Sequence, residues 1–361
     1  MAAKVRAGEP LDGADGLALF AHANLVELGA LANGVRERLH GDRTYWNRNL
    51  HINPTNVCVS ACKLCSFSRH SPDDAGAFVL SIDEAVAKLR ARLHRGEGVT
   101  EVHVVGGLHA GLPFDYFLGL LAALKAAAPA ITLKAFSAVE IFFFHHRYGM
   151  SIEEILRRLR SAGLDALPGG GAEILSPRVR QAICPNKCGA DEWLEVHRTA
   201  HRLGIKSNCT MLFGTIESLK ERVEHLLRLR ELQAETGGFL AFIPLPFHPA
   251  NNALGDLAAP TATECLRTLA VARLLLANVP HVKAYWISLG LPTAQTALWF
   301  GADDFDGTVS EEKVYHLAGA QTPQTLAPDE IARLIRAAGR VPVERDTFYG
   351  LAAPAAGKEA V

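Results

Sequence analysis

No segment of this 361-residue chain offers the run of about 18 uncharged apolar residues that a membrane-spanning helix needs. Nor does an apolar stretch follow the charged start Met1-Ala2-Ala3-Lys4-Val5-Arg6-Ala7-Gly8-Glu9, so the expectation is a cytoplasmic protein without a secretory leader. Net charge is equally scarce. The 37 basic and 38 acidic side chains leave a formal −1, which gives no general attraction for nucleic acid or an anionic membrane. Any anionic ligand must be met by local groups. The seven cysteines are odd in number and come with no secretion signal, which argues against a disulfide framework and for reduced thiols, some with a metal role. No internal repeat is visible beyond a simple alternation of strand-like and helix-like segments.

What the chain does have is a concentration of thiols. Cys58, Cys62 and Cys65 stand in Asn56-Val57-Cys58-Val59-Ser60-Ala61-Cys62-Lys63-Leu64-Cys65, directly after a short apolar run. Thiolates select zinc, copper(I) or iron–sulfur clusters over hard cations. A structural zinc site normally shows four ligands at paired spacings, and here no fourth is obvious. A [4Fe–4S] cluster is usually held by four thiolates; held by three, it leaves one iron open to a small molecule, as an open catalytic zinc site does. Cys184 and Cys188 form a second Cys-x3-Cys pair around Pro185-Asn186-Lys187. That pair lies in a turn-rich connection, and with Cys209 and Cys265 it reads as small buried hydrophobes.

Hydrophobic content of 49% and a mean hydropathy of +0.10 suffice for a large core. Eight β-rich runs are predicted at Asn49–Thr55, Glu101–Gly106, Ile131–Ser137, Leu164–Pro168, Ile205–Phe213, Gly238–Leu245, His281–Leu289 and Leu298–Asp304. Between them the apolar spacing predicts helices over Ser81–Arg95, Pro113–Ala127, Ser151–Ala162, Asp191–Leu203, Ile216–Thr236 and Thr261–Asn278. A seventh is squeezed into Pro292–Thr296. Ser81 with Glu84 and Ser151 with Glu154 have capping-box spacing, and Gly96, Gly163 and Gly204 follow helical runs as stops. This order fits an α/β fold of (β/α)8 TIM-barrel type, complete or incomplete. The expected organisation is an N-terminal helical extension over 1–47, the barrel over 48–320, and over 321–361 a C-terminal helix (Pro328–Gly339) and tail packed on the barrel, with the closing run of Ala, Pro and Gly frayed.

In such barrels the chemistry sits at the C-terminal ends of the strands. The thiol triplet follows the first run. Gly106-Gly107-Leu108-His109 ends the second, Ser137 and Glu140 the third, and Gly169-Gly170-Gly171-Ala172-Glu173 follows the fourth. Thr210-Met211-Leu212-Phe213-Gly214 ends the fifth, and Asp303-Asp304-Phe305-Asp306-Gly307-Thr308 the eighth. The last has half the look of a calcium loop but neither the twelfth-position glutamate nor the regular oxygen spacing; a capping turn and a substrate contact are both open readings. Glycines at a strand end permit close approach of backbone to a ligand, and an imidazole such as His109 can serve as acid or base near neutral pH. His145 and His146 project about 100° apart on a helix and read as packing residues.

The triplet, with Leu64 as its apolar position, resembles the Cys-x3-Cys-x-Φ-Cys loop of the radical S-adenosylmethionine enzymes. The resemblance implies that Cys58, Cys62 and Cys65 hold a [4Fe–4S] cluster whose open iron chelates S-adenosylmethionine. It further implies backbone contacts to the cofactor from Gly106 and Gly107, although Leu108 stands where that family has a glutamate. Ser137 and Glu140 match its ribose-contacting segment, and Met211 its adenine-contacting strand. Glu173, His109 and Arg178 are the candidate catalytic groups, the last two as partners for substrate carboxylates.

Further segments narrow the resemblance to the aminofutalosine synthase family of the futalosine route to menaquinone: His51-Ile52-Asn53-Pro54-Thr55-Asn56, Glu101 to His109, Ala241-Phe242-Ile243-Pro244-Leu245 and Asp304 to Thr308. It implies a transferase that adds the deoxyadenosyl radical to an aromatic vinyl ether, fed with electrons by a partner such as flavodoxin or ferredoxin. Cyclic dehypoxanthinyl futalosine synthase and the deazaflavin-cofactor synthases, which abstract hydrogen, are the alternatives within the superfamily. A non-catalytic iron–sulfur electron carrier is the alternative outside it.

Overall fold

The computed structural model describes residues 1–351; the expected frayed tail of Ala, Pro and Gly lies beyond them. Ten strands are present among these residues: β1 (Arg43–Asn47), β2 (Asn49–Ile52), β3 (Glu101–Val104), β4 (Thr132–Ala135), β5 (Ala166–Leu167), β6 (Lys206–Phe213), β7 (Phe239–Pro246), β8 (His281–Val282), β9 (Asp304–Gly307) and β10 (Val341–Glu344). Strands β2 to β8 form one sheet in sequence order, every pair parallel. Helices cross over between them, and the sheet curls into a half-barrel. Strands β10, β1 and β9 form a second parallel sheet of three.

The predicted eighth strand at 298–304 is displaced. Trp299 and Phe300 donate back to Thr296 and Ala297 and complete the turn of the preceding helix, Leu291–Ala297. The extended chain begins at Asp304 instead. Segment 303–310 then spans the gap in the half-barrel: on one side Asp303 N–H donates to Val282 (3.0 Å) and Ala284 N–H to Asp304 (2.7 Å), and on the other His51 N–H donates to Ser310 (2.8 Å). The run predicted as a strand over 281–289 is two residues of strand and a short helix, Trp286–Leu289, because the polar–apolar alternation of His281 to Ala284 stops at Tyr285-Trp286-Ile287, and so short a mixed run cannot be assigned by periodicity alone. Arg43–Asn47, assigned from sequence to a helical extension, is the central strand of the small sheet.

The six helices predicted from spacing are found at Ile82–His94, Phe114–Ala127, Ile152–Ser161, Ala190–Arg202, Leu219–Thr236 and Ala262–Leu275. Their polar faces look outward and their apolar faces cover the sheet, with Leu89, Leu120, Leu159, Val196, Leu226 and Leu269 fully buried, each worth roughly 1.5–3 kcal/mol. The capping box at Ser81 is made reciprocally with Glu84. Ala138–Tyr148 and Pro177–Ile183 escaped the spacing, as did the single turns Trp286–Leu289 and Val314–Leu317. The N-terminal helix Leu25–His40 lies against the fold with Gly29 on Phe300, where a Cβ would come within 2.6 Å of the ring. The C-terminal strap closes the opposite end of the barrel: Arg345 and Tyr349 both bind Asp304, and the Thr347 hydroxyl donates to Glu101. No helix of the described residues is long and apolar enough to cross a membrane.

Candidate active site

The loop after β2 carries the three cysteines and is fastened on several sides. Gly107 N–H donates to Thr55 (2.8 Å), Val59 N–H to Leu108 (3.0 Å), Cys58 N–H to Arg69 (2.7 Å) and Lys63 N–H to Ile183 (2.8 Å). The Asn56 side chain joins Gly76 and Phe78 to the same loop. A Cβ on Gly107 would sit 2.2 Å from the Val57 carbonyl oxygen, so this position excludes any side chain while the loop lies where it does. Cys58, Cys62 and Cys65 all face one cavity of about 340 Å³ at the C-terminal ends of the strands. Ser60 touches two of them, its N–H on Cys58 Sγ and its hydroxyl 3.2 Å from Cys62 Sγ.

No fourth thiol lines that cavity among the described residues. Cys184 and Cys188 are buried beside it, and burial pushes their thiols up to about 12 and about 11, which disfavours the thiolates a metal requires. Burial also raises the Cys58 thiol, a cost that coordination to a metal would remove. Three convergent thiols on a fixed loop, with no fourth, fit a cluster that keeps one iron open.

Leu64, Gly106, Gly107, Ser137, Glu140 and Glu173 line the same cavity. Glu140 is held by the capping box of helix Ala138–Tyr148: Ser137 donates from its N–H and hydroxyl, each 2.7 Å, to Oε2. Its Oε1 accepts the Gly106 N–H at 3.0 Å. Burial outweighs these bonds and pushes the carboxyl up to about 7. Glu173 sits at φ 45, an uncommon backbone angle for a non-glycine residue, and pairs with Lys187. Burial alone would raise its carboxyl, but Lys187 holds it below the usual value. The charges of Cys62 and Glu173 in turn keep Lys187 well above the ordinary lysine range against its burial.

Three expected contacts are not brought to the cavity. Side chains alternate along a strand, and on β6 Asn208, Thr210 and Leu212 face inward, so Met211, fully buried, points to the helix layer. Its neighbours Thr210 and Leu212 line the cavity instead. His109 lies beyond the rim, its Nδ1 accepting the Gly111 N–H at 3.0 Å. Arg178 is 58% exposed and pairs with Glu221 at 2.6 Å, a bond made possible by its place on helix Pro177–Ile183. Its guanidinium also donates to the Ile216 carbonyl.

Lys187 was passed over in sequence as the middle of a turn-rich connection. The polar floor was passed over too: Asn49, His51, Glu101, His103, Lys134, Lys283 and Asp306 all line the cavity. Lys134 and Glu101 pair at 2.6 Å and are almost fully buried. The signal for most of them was present, since 49–53 and 101–104 alternate strictly between polar and apolar residues.

Residues 52–229 match the radical SAM superfamily model, and residues 236–355 match the CofH/MqnC C-terminal region. The chain is 47% identical to the aminodeoxyfutalosine synthase of Thermus thermophilus, over 97% of this chain and 94% of that one. It is also 47% identical to the Streptomyces coelicolor enzyme of the same name, over 96% and 92%. A 5-amino-6-(D-ribitylamino)uracil–L-tyrosine 4-hydroxyphenyl transferase from Methanopyrus kandleri is 40% identical over 88% and 87%. Among solved structures, methylornithine synthase superposes with a TM-score of 0.75 at 17% identity, covering 94% of this chain and 96% of its own, a likeness of fold. With relatives of this identity along nearly its whole length, the chain belongs to the aminodeoxyfutalosine synthase family of radical S-adenosylmethionine enzymes, which work with a [4Fe–4S] cluster and S-adenosylmethionine.

Proposed function

We propose that this enzyme adds the deoxyadenosyl radical to the vinyl carbon of the carboxyvinyl ether of meta-hydroxybenzoate, and that rearrangement and decarboxylation then yield aminodeoxyfutalosine. The observation that carries this reading is the 47% identity to two aminodeoxyfutalosine synthases, against 40% to the hydroxyphenyl transferase. Cys58, Cys62 and Cys65 would hold the cluster. Bound there, it supplies the electron that cleaves the sulfonium of S-adenosylmethionine.

The protein's own residues have positioning and shielding roles in this scheme. The backbone of Gly106 and Gly107 admits the methionyl end close to the loop. Ser137 and Glu140 offer acceptors to ribose hydroxyls, and Lys187 with Glu173 forms a charged wall next to Cys62. Leu212, Ile243 and Leu245 line the cavity and keep water from the radical. Arg178 and His109 have no part, because both stand outside the cavity. A low-potential flavodoxin or ferredoxin is the reductant such chemistry calls for, in the cytoplasm.

The second reading, hydrogen abstraction as in cyclic dehypoxanthinyl futalosine or deazaflavin-cofactor synthesis, draws on the match of 236–355 to the CofH/MqnC region. One assay separates them. Anaerobically reconstituted enzyme is given S-adenosylmethionine, reductant and the vinyl ether, and products are weighed by mass spectrometry. An adenosine carbon covalently joined to the aromatic product supports addition. Free deoxyadenosine as the main product sinks it.

A further inference from the structure

Strand register puts a second set of groups at the bottom of the cavity. His51 pairs with His103, and His103 with Lys134, at one level of β2, β3 and β4. All three side chains point inward. The two imidazoles stack with centroids 4.6 Å apart and planes 8° apart. Neither ring has a hydrogen-bond partner among the described residues, so each leaves an N–H and a lone pair facing the cavity. Burial lowers both imidazoles below the usual histidine value, which keeps the stacked pair neutral.

The lysines at this level differ. Lys134 is held by Glu101 at 2.6 Å, and the Thr347 hydroxyl donates to the same carboxylate. Lys283 is only 3% exposed, and the one polar partner of its side chain among the described residues is Asp306 at 3.4 Å, longer than a charge-assisted bond of about 2.7–2.9 Å. Asp306 already accepts from Asn49 at 3.2 Å. Lys283 is therefore a buried cation with donors to spare, near enough to His103 that its charge acts on that ring. Ile243 follows Phe242, the register partner of Val282, and so stands beside Lys283 on β7; Leu245 and Tyr285, each two residues further along, line the cavity with it, a surface for a flat apolar body.

We propose that Lys283 and the His51–His103 pair form the seat of the substrate's ring carboxylate, with the aromatic ring between Tyr285 and Ile243. The proposal rests on the vinyl-ether reading above and adds the orientation. His103 lies three residues before Gly106, about 10 Å deeper along the strand. A carboxylate anchored on the floor therefore leaves the vinyl end directed at the cysteine loop, where the adenosyl group arrives.

The test is equilibrium binding to anaerobic holoenzyme with S-adenosylmethionine and no reductant, so that nothing turns over. Two probes are compared: the carboxyvinyl ether of meta-hydroxybenzoate and the carboxyvinyl ether of phenol, which has no ring carboxylate. Wild type is expected to bind the benzoate ether at least tenfold more tightly. Lys283→Met should abolish that preference and leave the affinity for the phenol ether unchanged, while Lys283→Arg retains it. Lys283→Met with Asp306→Asn, which leaves no orphaned charge, gives the same answer if the single variant folds poorly. A preference that persists in the Met variants overturns the seat, as does equal weakening of both probes. Equal binding of the two probes by wild type overturns it too. Wild type that binds S-adenosylmethionine but neither ether overturns the substrate reading itself.

Discussion

Replacing Gly107 by Ala asks whether contact between the end of β3 and the cysteine loop sets the geometry of the site. The added Cβ would lie 2.2 Å from the Val57 oxygen and 2.7 Å from its carbonyl carbon, whereas ordinary contact starts near 3.4 Å. Both are backbone atoms, so no rotamer can relieve the clash, and the strand end and loop must separate by about 1 Å. Overpacking of this kind costs about 1–3 kcal/mol, which leaves the chain folded. A misplacement of about 1 Å lowers catalysis about 100-fold, or about 2.7 kcal/mol in the barrier. Gly106→Ala meets the Thr55 oxygen at 2.8 Å and should lose less. Gly34→Ala, on helix Leu25–His40 with no atom within 4 Å, should keep full activity and gain up to about 1 kcal/mol. The assay is kcat/KM for S-adenosylmethionine consumption under anaerobic conditions, with iron content and thermal melting measured on each variant. If Gly107→Ala stays within threefold of wild type at full iron content, the steric argument is wrong.

Ala at Cys58, Cys62 or Cys65 should each abolish the cluster's visible absorption and all S-adenosylmethionine cleavage, while Ala at Cys184 or Cys188 preserves both; iron analysis with absorption spectra checks this. Lys187→Met leaves Glu173 buried and unpaired, so it should cost about 3–5 kcal/mol. Adding Glu173→Gln should recover most of that in chemical denaturation. The Glu140 carboxyl is raised in the folded state to about 7, so wild type loses stability as pH rises from the unfolded value of 4.5 through 7. Glu140→Gln keeps the cap to Ser137 through its one amide oxygen but turns its NH2 toward the Gly106 N–H, a loss common to every pH; relative to that variant, wild type should lose up to about 3 kcal/mol between pH 4.5 and pH 8, and melting curves across pH decide it. Arg178→Ala breaks an exposed ion pair screened by water and should leave kcat and KM at wild-type values in steady-state assays.

The alternation of strands and helices was legible because each βα unit shows its own local signal, a β-rich run or an amphipathic 3.6-residue period. Six helices and the loop thiols were visible this way. Strand ends were misjudged where the signal was mixed. Ala284 to Ile287 carries no charged side chain and no clear period, and whether it continues β8 or turns into helix Trp286–Leu289 depends on the neighbours it meets. Strands β1 and β10 are about 300 residues apart in the chain and carry no mark of their pairing, since it arises only when the C-terminal strap returns to the closed end of the barrel.

The site divides along the same line. Cys58, Cys62 and Cys65 announced themselves through spacing, because a small loop must bring all three sulfurs to one centre, and the capping pattern of Ser137 with Glu140 is equally local. Facing directions were not local. Met211 and Thr210 are adjacent, yet only one looks into the cavity, and Arg178 sits a few residues past Glu173 on a helix that carries it to the surface. The polar alternation in Asn49–Asn53 and Glu101–Val104 reads, on an ordinary sheet, as a face toward water. Here helices cover the outside of the barrel, so the same polar phase can only point inward. By itself the chain determined which metal chemistry it supports and roughly where strands begin. Closure of the barrel decided which polar residues meet, because that is a property of strand register between segments far apart in sequence.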